Sequence, residues 1–358
     1  MRAGIRLSQC TFRWALALTS LVSLLVTVGM AVAEHGPIGK PAVDPTLTSY
    51  NAIRNVSGTL KLAGSDTMQP ILSRLVKEFR RYHPNASLSV EGGGSSAAVK
   101  EFLDTLPRSK PVSQSKADEP VLLVASSRVL SASEVKQFAA KRGYQPTAVP
   151  VAVDAVGIYV HQDNPLPHLT LEQVDAMLST TRHRGYPHEL KRWGQLGVNE
   201  GWESRSINLY GRDQKSGTRA FIKEQVLENG DFTLAVHEEP GAASVILALS
   251  RDPFGIGYSG IGLQASTVRA VPLAEKEGMP YVLPSAESVM DQSYPLRRFL
   301  YLYVDKSPNA ALPALVEEFL AFINSREGQQ TVIKAGFYPL PVKQVQQSLA
   351  ALTVPKGQ

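Results

Sequence analysis

Ile71, Leu72, Leu75, Val76, Phe79 and Tyr82 recur at three-to-four spacing, with Arg74, Lys77, Glu78, Arg80 and Arg81 on the opposite face, and that pattern predicts an amphipathic helix. Pro70 suits its first turn, where no N–H is missed, and His83-Pro84 ends it. Ahead of it, Gly58–Gly64 (GTLKLAG) reads as a short strand running into the turn Ser65-Asp66-Thr67. The same order then repeats. Leu88–Glu91 is a strand, Gly92-Gly93-Gly94 a turn, and Ser95-Ser96 opens a helix through Ala98, Phe102 and Leu103. Residues 107–120 form a polar loop, after which Val121–Ala125 is a strand of buried type. It ends in Ser126-Ser127-Arg128, and a helix over Ser133–Lys141 follows.

Val149–Val160 (VPVAVDAVGIYV) is a longer β-rich run, and its length predicts a strand that crosses from one domain into another. Thr170 and Gln173 form a capping-box pair for a helix reaching Leu178, and residues 181–205 read as loop. Ile207–Tyr210 is the strand of a fourth strand-turn-helix unit, delivering Gly211–Phe221 (GRDQKSGTRAF). Pro240–Ser244 opens a further helix, and Phe254–Gly260 is a glycine-rich strand and turn. The chain is expected to return to the first domain soon afterwards, at about residue 266. Arg298–Val304 is a strong strand, Leu312–Asn324 a helix with Leu315, Phe319 and Phe322 inward, and Gly328–Leu340 a last short helix and proline-rich turn. Strands alternating with helices place the chain in the α/β class, whose open sheets bind ligands at the C-terminal edge of the strands.

The first 33 residues differ from all of this. Arg2, Arg6 and Arg13 precede an apolar run from Trp14 to Val32 that closes on Ala31-Val32-Ala33, the build of a secretory signal peptide cleaved after Ala33. Residues 34–57, with Pro37, Pro41 and Pro45, read as an extended arm lying along the first domain. Cleavage removes Cys10, the only cysteine, and three arginines, which lowers the formal charge from +5 to +2. An exported chain without thiols has no cysteine catalysis and no Cys-ligated metal, and a domain of this size needs no disulfide. The seven histidines form no H-x-x-x-H arrangement, so neither a metal nor a cofactor is expected. Nothing in the charge balance calls for nucleic acid.

Chemistry concentrates in the turns. Arg212 can fork two N–H bonds onto a tetrahedral oxyanion, Ser216 and Thr218 offer hydroxyls, and helix amides from Gly217 onward are unpaired. Taken alone, such a turn is also an ordinary Ser/Thr cap beside a solvated arginine. Three more turns of the same kind, at Ser65–Met68, at Ser95-Ser96 and at Ser126-Ser127, weigh against that. If the chain visits one domain, crosses and returns, these turns meet across a cleft around a small anion. Each unsatisfied oxygen of a dehydrated oxyanion costs about a few kcal/mol, so many donors are required. Gly92–Ala97 fits G-x-G-x-x-A but lacks the acidic residue of a dinucleotide site, and neither G-x-S-x-G nor a P-loop is present.

In order and spacing, AGSDTMQP (Ala63–Pro70), EGGGSSAAVKEF (Glu91–Phe102), ASSR (Ala125–Arg128), VPVAVDAVGIYVHQDNP (Val149–Pro165), GRDQKSGT (Gly211–Thr218), PGAASV (Pro240–Val245) and GIGYSGIG (Gly255–Gly262) resemble one family. It is the periplasmic phosphate-binding component of high-affinity phosphate ABC transporters, and the resemblance runs from about Gly58 to Leu340. It implies a two-lobed type II periplasmic-binding-protein fold, with mixed sheets flanked by helices and two β hinge crossovers. Lobe I would comprise residues 58–150 and 266–350, and lobe II residues 151–265. The implied ligand is inorganic phosphate, held without chemistry by a monomer and passed to an inner-membrane ABC permease. Thr67 with the Met68 amide, Ser95, and the Arg212/Ser216/Gly217/Thr218 turn match the family's phosphate-binding positions, with Ser65 and Ser127 beside them.

One position departs from the family. Many members carry an Asp soon after the third strand to accept the proton of hydrogen phosphate, and here Ser127 stands there, followed by Arg128. Phosphate near neutral pH keeps a proton that sulfate lacks, so a selective site needs one acceptor. Asp66 is the candidate, and it equally suits a plain helix cap. Asp213 suits orienting Arg212. The alternatives to a phosphate receptor are a secreted phosphatase-like enzyme on the same anion seat and a receptor for sulfate, molybdate or tungstate.

Overall fold

A strand buried along almost its whole length must be covered on both faces, and Thr147–His161 is such a strand, buried from Val149 to Val160. The structure is a computed structural model that describes residues 41–353, apart from 107–110, 112–113, 115–120, 200, 264 and 309. The expected signal peptide, its cleavage point at Ala33 and most of the 107–120 loop lie outside the described residues.

In chain order, β1 (Gly58–Gly64) leads through a 3-10 turn (Asp66–Met68) to α1 (Gln69–Tyr82), β2 (Ala86–Glu91), α2 (Ser95–Thr105), β3 (Val121–Ser126), α3 (Ala132–Arg142) and β4 (Thr147–His161). Next come β5 (Leu169–Thr170), α4 (Leu171–Leu178), β6 (Asn208–Arg212), α5 (Gly217–Gln225), β7 (Val236–Glu239), α6 (Ala242–Leu249) and β8 (Gly255–Gly260). β9 (Val268–Ala270), β10 (Leu273–Ala274), α7 (Ala286–Met290), β11 (Arg297–Val304), α8 (Ala314–Ile323), α9 (Arg326–Lys334) and α10 (Val342–Leu352) complete the chain. Local chemistry explains several boundaries. The Thr170/Gln173 capping box starts α4, and a second box, Ser131 with Glu134, starts α3, which ends on Gly143 in the left-handed conformation.

The strands run in the order β2-β1-β3-β11-β4-β8-β6-β7, and β9 also pairs with β4. β1 is parallel to β2 and β3, and β6 is parallel to β7 and β8. β11 is antiparallel to both β3 and β4. β4 is used twice: Thr147–Ala155 pairs with β11, and Val156–Val160 pairs with β8. The partner change falls between Ala155 and Val156. The turns that follow β1, β2, β3 and β6 come together near it.

Two main cores flank that point. In the first, α1, α8 and α9 cover β1, β3 and β11 with Leu60, Leu62, Leu75, Phe79, Phe319 and Val332. Phe79 meets Phe319 edge-on at 5.2 Å, and burying each such ring contributes roughly 1.5–3 kcal/mol. In the second, Ile158, Val174, Met177, Trp193, Ile222 and Tyr258 pack together. β9 pairs with Tyr159–His161, and Val271, Leu273, Val289 and Leu296 lie in the second core. Tyr338, Leu340 and Val345 join the second core as well. β9, β10 and α7 are three, two and five residues long and leave no periodicity to read. The arm is tied down: Arg326 holds the carbonyls of Leu47 and Thr48, and the Tyr50 hydroxyl bonds Glu318 at 2.7 Å and His83 at 2.6 Å.

Candidate anion-binding cleft

The first turn leaves β1 at Gly64, whose φ is +137° and where a Cβ would stand 2.2 Å from the Ala125 carbonyl oxygen. Only glycine lets the turn lie so close to β3. Ser65, Thr67 and Met68 are buried behind it. The Met68 amide donates to the Ser65 carbonyl at 3.0 Å, closing the 3-10 turn, and its side chain belongs to the first core. Asp66 has both oxygens engaged, accepting from the Gly93 amide at 2.9 Å and from Arg212 Nη2 at 2.8 Å.

The second turn, Gly92–Gly94, carries positive φ at Gly93 and Gly94 and delivers Ser95, fully buried, at the start of α2. The third follows β3. Ser127 donates its amide to Ser95 Oγ at 3.1 Å, and the two hydroxyls lie 3.3 Å apart. Arg128 grips Glu134 with two bonds of 2.8 Å and so fixes the turn. Burial pushes the Glu134 carboxyl up, but the bonds from Arg128 and the Ser131 amide outweigh it and hold it below its ordinary value.

The fourth turn follows β6. Arg212 is buried, with Nη2 also on the Pro240 carbonyl at 3.1 Å, Nε on the Glu239 carbonyl at 3.3 Å, and its amide on the Tyr258 hydroxyl at 3.1 Å. Burial pushes the Tyr258 hydroxyl up to about 12, so it stays a neutral phenol. Ser216 caps α5 by accepting from the amides of Thr218 and Arg219 at 3.1 and 3.3 Å. Its own O–H is what it can offer a ligand.

These four turns meet. Thr67 Oγ1 lies 3.2 Å from Thr218 Oγ1, and the Ser96 amide donates to the Lys215 carbonyl at 3.0 Å. A Cβ on Gly217 would stand 2.4 Å from Ser95 Oγ and 2.7 Å from Ser127 Oγ. Ser65, Asp66, Thr67, Ser95, Ser127, Arg212, Ser216, Gly217 and Thr218 therefore share one locality, and Met68 enters it by its backbone alone. Hydroxyls, helix-start amides and one guanidinium are the donor set of an oxyanion seat. Among the described residues no group of three or more His, Cys, Asp or Glu is placed to hold a metal ion.

Two further residues at this place escaped the sequence reading. Asp154 on β4 and Arg298 on β11 face each other in the ladder, with Arg298 Nε at 2.8 Å and Nη2 at 2.7 Å from Asp154 Oδ2. Arg298 Nη2 also donates to Thr218 Oγ1 at 3.1 Å. Burial pushes the Asp154 carboxyl up and the Arg298 guanidinium down, each against the pull of the other, and the two short contacts keep them an ion pair. The signal was a lone carboxylate inside an apolar strand and an arginine inside another, each of which needs a buried partner.

The profile of the PBP superfamily domain matches residues 51–327. The chain is 39% identical over 335 residues to the phosphate-binding protein PstS of Pseudomonas aeruginosa, covering 94% of this chain and 99% of that one. It is 25% identical over 290 residues to the phosphate-binding protein PstS of Staphylococcus saprophyticus, covering 80% and 82% respectively. Among solved structures, it shares the fold of a phosphate ABC transporter substrate-binding protein with bound phosphate from Clostridium perfringens, with a TM-score of 0.62, 23% identity and coverage of 80% of this chain and 100% of that one. An ABC-type phosphate transport receptor from Vibrio cholerae gives a TM-score of 0.57 at 20% identity, over 79% of this chain and 100% of that one.

Proposed function

From the premise that the chain belongs to the PBP superfamily and, within it, to the PstS family of phosphate-binding proteins, we propose that it captures inorganic phosphate for an ABC importer. It acts as a non-enzymatic, exported receptor in the periplasm, working as a monomer and releasing phosphate to an inner-membrane permease. Two lobes, joined where β4 leaves the first core and where the chain re-enters it at β11, close on the anion by hinge bending.

The binding set is Thr67, Ser95, Ser127, Ser216 and Thr218 as hydroxyl donors, Gly217 and the Ser65–Met68 turn as backbone, and Arg212 as the charged donor through Nη1, its Nη2 and Nε being taken by Asp66, Pro240 and Glu239. Arg212 is already neutralised by Asp66 at 2.8 Å, so the anion is held mainly by oriented dipoles. Such groups hold charge well in a dry cleft and need little rearrangement. Asp66 stands beside the fork as an acceptor for the proton of hydrogen phosphate, since each carboxylate oxygen has more than one lone pair.

The meeting of turns from distant parts of the chain supports the reading most: Thr67 against Thr218 at 3.2 Å and Gly217 against Ser95 and Ser127. Calorimetric titration of the mature protein with phosphate, arsenate and sulfate tests it. Tight phosphate binding with weak sulfate binding is the expected result; no phosphate binding, or preference for sulfate, overturns it.

A further inference from the structure

Arg298 is buried and lies in the strand that returns the chain to the first core, opposite Asp154 and one residue short of the partner change in β4. Buried ion pairs contribute little net stability, because desolvation cancels most of the attraction, and apolar residues of similar size often replace them without loss. Geometry suggests another use. Arg298 Nη2 donates to Thr218 Oγ1 at 3.1 Å, and an arginine only donates. Thr218 Oγ1 is thereby an acceptor for Arg298, and its single hydrogen is left for a partner on the other side, where Thr67 Oγ1 lies at 3.2 Å. A hydroxyl that accepts from a cation becomes a stronger donor. Gly260 makes room: a Cβ there would come within 3.0 Å of Thr67 Cγ2, 3.3 Å of Asp154 Oδ2 and 3.5 Å of Arg298 Nη2. Arg298 Nη1, also buried, has no hydrogen-bond partner among the described residues, a cost better explained by ligand binding than by folding.

We propose that Arg298, held in place by Asp154, is a positioning residue for the anion: it fixes the Thr218 hydroxyl as an obligate donor and couples the seat to the strand crossover. This deepens the phosphate-receptor reading and rests on it. The arginine need not touch phosphate, since it acts through Thr218, and the Asp154 carboxylate keeps the added cation from making the site attractive to every anion.

The test is a cycle of variants measured by phosphate titration. Asp154→Leu/Arg298→Met removes the pair without leaving a lone buried charge, and Thr218→Val removes the hydroxyl it acts through. Each should weaken phosphate binding by about 10- to 100-fold. The triple variant should bind within about twofold of Thr218→Val alone, because both changes remove one relay. Should the pair variant bind like wild type, or the losses multiply in the triple variant, the inference is overturned. If the pair variant fails to fold by circular dichroism, Arg298→Lys serves instead. It keeps a cation for Asp154 but loses the planar fork, and undiminished phosphate affinity overturns the inference. A wild-type protein that ignores phosphate overturns the functional reading and this inference together, whereas normal wild-type binding with an unaffected pair variant overturns this inference alone.

Discussion

Gly217→Ala separates folding from binding at a single atom. Gly217 is the first residue of α5, and alanine is favoured there over glycine by up to about 1 kcal/mol of helix propensity. The added methyl, however, would stand 2.4 Å from Ser95 Oγ, 2.6 Å from Ser95 Cβ and 2.7 Å from Ser127 Oγ. Ordinary contact begins near 3.4 Å, so the turns must part by roughly 1 Å. Ser95 cannot swing aside, because its Cβ is fixed by the start of α2 and its Oγ holds the Ser127 amide. Overpacking of this kind costs about 1–3 kcal/mol, or roughly 5- to 150-fold in Kd. Calorimetry with phosphate should show that loss, while the melting temperature without phosphate stays within a few degrees of wild type or rises. Unchanged affinity, or a large fall in ligand-free stability, would refute the claim that α5 closes against α2 at this residue.

Asp66→Asn should weaken phosphate binding or admit sulfate, since the carboxylate pairs with Arg212 and supplies the acceptor next to it; identical titrations with both anions would remove it from that role. Glu134 has its carboxyl held below the ordinary 4.5, so its contribution to stability is complete above the unfolded value and is lost as pH falls through the folded one. Glu134→Gln should accordingly flatten the fall in melting temperature below about pH 5, and a variant curve parallel to wild type would contradict this. Phe79→Ala, among Phe319 and Phe322, should cost about 3–5 kcal/mol in urea unfolding. Its phosphate affinity should nevertheless stay within about twofold of wild type, because the ring lies in the first core away from the turns.

The helices and strands were legible where periodicity or capping chemistry was strong. Residues 71–82 read as an amphipathic helix, and α1 spans Gln69–Tyr82; the Thr170/Gln173 box opens α4. The turns were legible because glycine and hydroxyl residues cluster at strand ends, and Arg212 stood out as a fork before a helix start. The Asp154–Arg298 pair was not, because a contact across a β-ladder joins residues 144 positions apart, and neither neighbourhood announces the other. β9, β10, α7 and α10 escaped for a different reason. The first three are too short to show a period, and α10 begins after Pro341, where the proline-rich turn looked like an ending.

The doubly used strand β4 also limits how the protein can be redesigned. Past the register irregularity opposite Leu300 and Tyr301, side chains of β4 alternate faces, so adding or deleting one residue between 152 and 160 would invert everything beyond it. Asp154 would turn away from Arg298, or Ile158 and Val160 would leave the second core. From residue 152 onward, this span of the polypeptide behaves as a ruler with a fixed count.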